Sequence, residues 1–300
     1  MRHDDLMDLL PLRYFQAVAR HEHISRAAVE LRVSQPSLSR TIARLETELG
    51  VPLFDRQGRH IRLNRFGAAF LRRVDRALGE LDDGRQELAD AAGLAHGSIV
   101  VASETMYTVV SALVGFRAEH PGVDVRLYQA PAEVMLQRLR HGEVDLCLSS
   151  QPVDDPALEV AEVLREEVLL AVPAGHRLAS RESVGIEELA GEPFITTDHG
   201  YWPRVLAERL FAAAGQQLSI ACEGNEPGGT AFLISMGLGV GFVPEMAGHH
   251  DVAPLALLRV DSPDCHRTLS FVWRRDAYLS AAARRFREHV TDAIRSEAAR

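Results

Sequence analysis

SQPSLSRTIARLETEL, Ser34 to Leu49, is the stretch that decides how the chain reads. At about 100° of rotation per helical residue, Leu38, Ile42, Leu45 and Leu49 fall within about 60° of one another, a stripe fit for burial. Opposite them lie Pro36, Ser37, Arg40, Ala43, Arg44 and Thr47, small and guanidinium side chains with no acid among them. Ser34 is placed to cap this helix, Pro36 is tolerated in its first turn, where an amide has no intrahelical acceptor, and Gly50 ends it. A face of this kind suits a DNA major groove. Small residues let the backbone approach the bases, Arg40 or Arg44 can make a paired contact to guanine, and hydroxyls can serve bases or phosphates. The plain alternative is a solvated helix face beside an ordinary loop.

Working outward, Leu12, Phe15 and Ala19 recur at helical spacing before it, and Ser25 is placed to cap a helix carrying Ala27, Ala28 and Leu31. Arg32 and Val33 then make a tight turn. After Gly50, the β-like pieces VPLF and HIRL flank the polar stretch Asp55 to His60, a wing-like hairpin on which Arg56, Arg59 and Arg62 can hold flanking phosphates. Asn64 can cap a further helix. Along it Phe70, Val74, Ala77, Leu81 and Leu88 follow alternating four- and three-residue steps, interrupted at Gly84, and such a stripe asks for a partner helix. The expectation is dimerisation through this seam; a core helix within the domain is the alternative.

The rest of the chain differs in charge and pattern. Met1 to Arg65 carries 11 arginines against 8 acids, whereas the remaining 235 residues carry 22 against 34, and the whole chain stands at -9. The overall charge argues against a general polyanion binder, and the amino-terminal fifth is a different kind of surface from the remainder. All 33 basic residues are arginine, which excludes a Walker A loop and a lysine Schiff base. With 300 residues and 46% apolar content there is material for two domains and their cores. No apolar run approaches the roughly 18 residues that span a bilayer, and the acidic opening MRHDDLMD lacks the apolar core of a signal peptide, so a cytoplasmic home with no membrane partner is expected. Beyond Gly97 come SIVVAS, a helix from about Thr105 to Glu119, VDVRLYQA, a helix from about Ala132 to Arg140, and VDLCLSS. A second set follows with EEVLLAVP, PFITT, QLSIA and VGFVP, and then RTLSFVWRR and an arginine-rich helix from about Leu279 to Ile294. Two α/β lobes follow from that alternation.

The run ISRAAVELRVSQPSLSRTIARLETELGVPLFDRQGRHIRLN resembles the winged helix-turn-helix of LysR-type transcriptional regulators, over about forty consecutive positions. Its SQPSLSR and LFDR runs are specific in spacing and residue type, and the long helix followed by two lobes keeps the family's order. It departs at Asn64, Arg65 and Phe66, where the family more usually has a threonine and an acid. By resemblance, Ser34, Gln35, Pro36, Ser37, Ser39, Arg40 and Arg44 belong to the recognition helix and Arg56 to the wing. The implied fold is α+β and multidomain: a winged helix-turn-helix over 1–64, a linker and dimerisation helix over 65–94, and a two-lobed α/β effector domain over 95–300, similar to periplasmic binding proteins. Its first lobe would take about 95–165 and 267–300, its second about 166–266. The implied partners are double-stranded DNA, a small-molecule effector and further copies of the chain as a dimer or a pair of dimers, with RNA polymerase as the indirect beneficiary. No cofactor is expected.

Candidate effector residues sit at strand ends. Ser103 and Thr105 end the first strand, where hydroxyls and helix amides can hold an anion. Glu104 between them either faces out or asks for an effector with donors or positive charge. Thr196, Thr197, His199 and Tyr201 occupy the equivalent junction of the second lobe, with Trp202 as an apolar wall; the alternative is that they cap and pack it. Ala130 ends the second strand, Ser149 lies where the chain should cross between lobes, and Glu226 in GNEPGG is a further cleft edge. The rival classes are a solute-binding module and an enzyme using the cleft, both without regulatory output. The sequence offers the enzyme little. GLGVGF lacks the third glycine of a dinucleotide loop and the strand-to-helix order it needs. His21-Glu22-His23 has serine where H-E-x-x-H needs its second histidine, His249 and His250 have no cysteines nearby, and Cys147, Cys222 and Cys265 lie too far apart for a zinc or redox motif.

Overall fold

The computed structural model describes residues 8–57, 60–92, 97–224, 227–246 and 254–299, with only the backbone of 56, 57, 60, 227 and 228. The chain divides into two compact units, with the break between Ala89 and Asp90.

The first unit holds α1 (Leu9–His21), α2 (Ile24–Glu30), α3 (Gln35–Leu49), β1 (Phe54–Gln57), β2 (His60–Leu63) and most of α4 (Arg65–Ala91). Leu38, Ile42 and Leu45 of α3 are fully buried against Leu12, Phe15 and Val18 of α1. Ser34 caps α3 by accepting from the Ser37 amide at 3.3 Å. Ser25, expected to cap α2, lies inside it instead, because the extended backbone of His23 starts the helix and its ring Nδ1 accepts from the Arg26 amide. Arg32, at φ 54°, makes the turn between α2 and α3. β1 and β2 pair antiparallel from Phe54↔Leu63 to Gln57↔His60, so a wing forms, but its first strand runs through FDRQ rather than the expected VPLF, since the Leu53 and Phe54 amides are held by Glu46 in the last turn of α3. Asn64 Oδ1 accepts from the amides of Phe66 and Gly67, both at 2.9 Å, and starts α4. Gly67 permits a close approach: a Cβ there would stand 2.1 Å from the Leu53 carbonyl oxygen.

The expected seam of α4 divides. Val74 is 2% exposed and packs with Leu78 in the unit's own core, with Phe70 half-buried beside them. Phe70 meets Phe15 at 5.4 Å between ring centroids, Gln16 donates to Asp75 at 2.8 Å, and Arg13 pairs with Asp82. These contacts turn the face carrying 70, 74 and 78 toward α1, a four-residue stride in place of the alternating four and three. Ala77 is exposed, as are Leu81 at 44% and Leu88 at 73%.

The second unit opens with β3 (Ser98–Ser103), α5 (Tyr107–Glu119), β4 (Asp124–Gln129), α6 (Ala132–Arg140) and β5 (Leu146–Ser149). β6 (Leu158–Pro173) and β7 (Ser183–Val184) follow, then β8 (Pro193–Thr196), α7 (Trp202–Ala213), β9 (Ser219–Glu223), α8 (Pro227–Ser235), β10 (Gly241–Pro244), β11 (Leu255–Val260), β12 (His266–Arg274) and α9 (Ala281–Ala298). The main sheet runs β4-β3-β5-β12-β6-β11-β7, with β10 also on β6, and β8 pairs β9 separately. The 16-residue β6 passes through both lobes: Val163 packs in the core of Ile99, Phe116, Phe271 and Phe286, while Val168 packs in that of Leu170, Phe194, Phe211 and Phe242. Antiparallel β12 accompanies it from His266↔Glu167 to Arg274↔Leu158. The lobes thus share two strands, and these lead to the junction where β3, β5 and β8 end. α5 starts at Tyr107 rather than Thr105, because a hydroxyl turn occupies Ser103 to Thr105.

Candidate functional site

The buried stripe of α3 leaves its other face bare. Ser34, Gln35, Pro36, Arg40, Ala43, Arg44 and Thr47 are exposed, and Ser37 and Ser39 are partly so. Arg40 makes no hydrogen bond or ion pair among the described residues, whereas Arg44 Nε lies 3.2 Å from Glu48 Oε1, an acid at the border of the face. An exposed pair of this spacing is worth about 0.3–0.5 kcal/mol, less than a bidentate base contact at about 1–3 kcal/mol, so Glu48 holds Arg44 only weakly. The Thr47 hydroxyl donates back to the Ala43 carbonyl at 2.9 Å and keeps only acceptor capacity. On the wing, Arg62 is exposed opposite Asp55. The side chain of Arg56 and all of Arg59 lie outside the described residues. Glu46, absent from the sequence candidates, ties wing to helix: its Oε1 accepts from the amides of Leu53 at 2.8 Å and Phe54 at 3.2 Å.

In the second unit the strand ends converge. Ser103 is buried and its hydroxyl donates to the Thr105 carbonyl and accepts from the Thr105 amide, so most of its capacity is spent locally. Ser149 repeats this turn with Gln151 at the end of β5, the parallel neighbour of β3. Glu104 faces inward and is 1% exposed. Its Oε2 accepts from the Ser150 amide at 2.7 Å, and its Oε1 from Gln151 Nε2 at 2.6 Å and from the Trp202 amide, at the start of α7, at 3.0 Å. Burial pushes its carboxyl pKa up, while those three donors and the Arg267 charge pull the other way. The Trp202 indole N–H reaches Thr105 Oγ1 at 3.4 Å. Its ring carries the Arg267 guanidinium 4.8 Å from the centroid. Arg267 is itself buried against Glu166, at 2.6 Å, and its Nη1 has no partner among the described residues.

Of the remaining candidates, Thr196 is buried, and Thr197 has a buried Oγ1 with no partner among the described residues. Tyr201 is partly buried, and burial, followed by the charges of Asp198 and Glu104, raises its phenol pKa. Ala130 is buried and contributes backbone only, its amide donating to the Ser103 carbonyl at 3.3 Å. His199 is turned outward to Arg204 and Glu208. Glu226, like His249 and His250, lies outside the described residues.

The comparisons with known proteins agree with this division. The model described as bacterial regulatory helix-turn-helix protein, lysR family, matches residues 9–68, and the LysR substrate binding domain matches 92–295. The chain belongs to the LysR family of transcriptional regulators. The HTH-type transcriptional regulator YybE of Bacillus subtilis is 38% identical over 95% of this chain and 98% of its own length. Full-length OxyR of Pseudomonas aeruginosa superposes with a TM-score of 0.73 at 22% identity, covering 97% of this chain and 96% of its own. Full-length CbnR complexed with its target DNA gives 0.53 at 26% identity, over 96% and 100%.

In this LysR-type regulator the structure brings Thr105, Ser149 and Tyr201 to one junction, but through partners the sequence did not expose. Gln151, Glu166 and Arg267 are not among the sequence candidates, and Trp202 enters there only as an apolar wall. A signal existed for Arg267, the first arginine of RTLSFVWRR, since a guanidinium in an apolar strand must find a carboxylate. Nothing in the sequence pairs it with Glu166. Among the described residues there is no group of His, Cys, Asp and Glu able to hold a metal, and no helix is long and apolar enough to cross a membrane. Burial raises the Cys147 and Cys265 thiols to about 12, which makes them inert packing groups.

Proposed function

We propose that this regulator reads duplex DNA with the exposed face of α3, and that a diffusible small molecule bound at the junction between the lobes changes that reading. Arg40 and Arg44 address base edges, Ser34, Gln35, Ser37 and Ser39 serve bases or phosphates at the helix N-terminus, and Arg62 holds a flanking phosphate. The exposed stretch of α4 bearing Ala77, Leu81 and Leu88 joins two copies, so half-sites lie about one helical turn or a multiple apart, and pairs of dimers occupy longer sites. Thr197, Tyr201 and Thr105 contact the effector. No resident cofactor takes part, the work is done in the cytoplasm where the DNA is, and RNA polymerase reads the outcome.

One observation carries this: Leu38, Ile42 and Leu45 are sunk into the core while every guanidinium of α3 stays outside it. CbnR, solved with its target DNA, supports extending that to groove binding. An effector can shift DNA binding only through a difference in its affinity for two arrangements of the lobes or of the assembly. Footprinting the full-length protein on its own upstream DNA, with and without a panel of metabolites, tests the reading. A defined footprint altered by one compound is expected. A uniform, sequence-independent pattern overturns the DNA assignment, and a footprint indifferent to every compound in the panel overturns the effector assignment.

A further inference from the structure

Glu104 answers its own dilemma in an unexpected way. It points into the cleft, and it does so as if it were the ligand. The donors around it come from both sides of the cleft: Ser150 and Gln151 follow β5 in the first lobe, and Trp202 opens α7 in the second. Three N–H groups converging at a helix start, with the buried Arg267 guanidinium behind the indole, form a cradle for a carboxylate. The same junction is drawn shut by backbone. The Gly200 carbonyl accepts from Gln151 Nε2 at 2.9 Å and from the Ala132 amide at 3.4 Å, and at φ +85° a Cβ on Gly200 would come 3.2 Å from that of Pro131.

The geometry points to Glu104 as a tethered ligand: its carboxylate occupies the cleft's anion cradle and latches the lobes together, and an effector with a carboxylate group acts by displacing it. This rests on the reading of the cleft as the effector site. Displacement is feasible because burial works against the ionised side chain while the three donors work for it, so the latch is held by a difference of opposed contributions. A neutral amide cannot replace it. With its oxygen facing Gln151 and Trp202, a glutamine would set its NH2 against the Ser150 N–H, donor against donor.

Acetate supplies the atoms that Glu104→Ala removes, and Trp202 is the reporter on the spot. In full-length protein carrying Trp273→Phe, Trp202 is the one remaining tryptophan of two. Glu104→Ala in that background is expected to shift its emission to the red and increase its quenching by acrylamide. Added acetate should return both saturably, with a response about tenfold or more weaker in the protein that keeps Glu104, because a tethered group out-competes its free analogue. Unchanged emission in the variant, or an equal acetate response with Glu104 present, overturns the latch. Should the alanine variant lose its far-ultraviolet dichroism, Glu104→Gln takes its place: greater quenching of Trp202 with no acetate response supports the latch, and quenching equal to the parent overturns it. The two readings separate cleanly. Acetate rescue with no metabolite altering the footprint keeps the latch and removes the effector assignment, whereas an effective metabolite without rescue does the reverse.

Discussion

Arg40 and Arg44 stand one helical turn apart on the same exposed face, yet only Arg44 has a protein partner to give up, Glu48. Arg40→Ala should therefore weaken specific DNA binding more than nonspecific binding, by about 1–3 kcal/mol for a bidentate contact; competition titrations against random duplex measure the ratio, and an unchanged ratio removes Arg40 from base reading. Thr197 presents the opposite case, a buried hydroxyl with no partner among the described residues. Its hydroxyl is already desolvated at a cost of about 1–3 kcal/mol, so Thr197→Val should leave the ligand-free protein as stable or more so while blunting the effector's action on the footprint. A thermal midpoint lowered by several degrees would show that the hydroxyl has a structural partner instead. Both arginines and Thr197 were legible from the sequence as candidates. Glu104 was legible only as a question, because a residue at a strand end carries no periodicity to say which way it points.

At the scale of elements, periodicity succeeded where one element packs locally and misled where an element's two ends have different neighbours. The stripe of α3 appears as spaced and Asn64 caps α4 as expected, whereas the first strand of the wing begins at Phe54, where the expected VPLF piece ends. The apolar residues of α4 are spaced as one seam, but its first half belongs to the core around Phe15 and only its later apolar residues are exposed. Leu81→Asp should accordingly lower the oligomeric state seen by sedimentation while the helix content stays. Val74→Asp should unfold the first unit, since an unpaired charge in a core costs several kcal/mol. Equal loss of fold in both variants would mean that Leu81 too is a core residue. α2 carries a smaller lesson: Ser25 is the better cap by residue type, but His23 has the extended backbone that a cap needs.

At the scale of the molecule, the Glu166–Arg267 pair sits where β6 and β12 cross from one lobe to the other. Removing one partner leaves a buried charge, so Glu166→Ala should cost about 3–5 kcal/mol in urea unfolding followed by tryptophan fluorescence, which reports the second unit alone through Trp202 and Trp273. A loss below about 1 kcal/mol would mark the pair as solvated. The same probe reads Glu104. Its pKa is raised in the fold above the usual 4.5, chiefly by burial, so the folded state binds the proton more tightly than the unfolded chain. That contribution is whole below 4.5 and is lost as pH rises through the raised value; Glu104→Gln should flatten this part of the profile, and an unchanged slope would assign it to other groups.

Helical and strand spacing along the chain determined the winged helix-turn-helix, the exposed guanidinium face and the alternation that builds two lobes, because those patterns are set by neighbours within a few residues of one another. What fills the cleft was decided by tertiary structure. Ser150 lies 46 positions from Glu104, Trp202 lies 98 from it, and Arg267 lies 101 from Glu166. The first depends on β3 and β5 lying side by side and the others on how β6 and β12 carry the chain across the lobes, and no local preference for helix, strand or turn encodes that path.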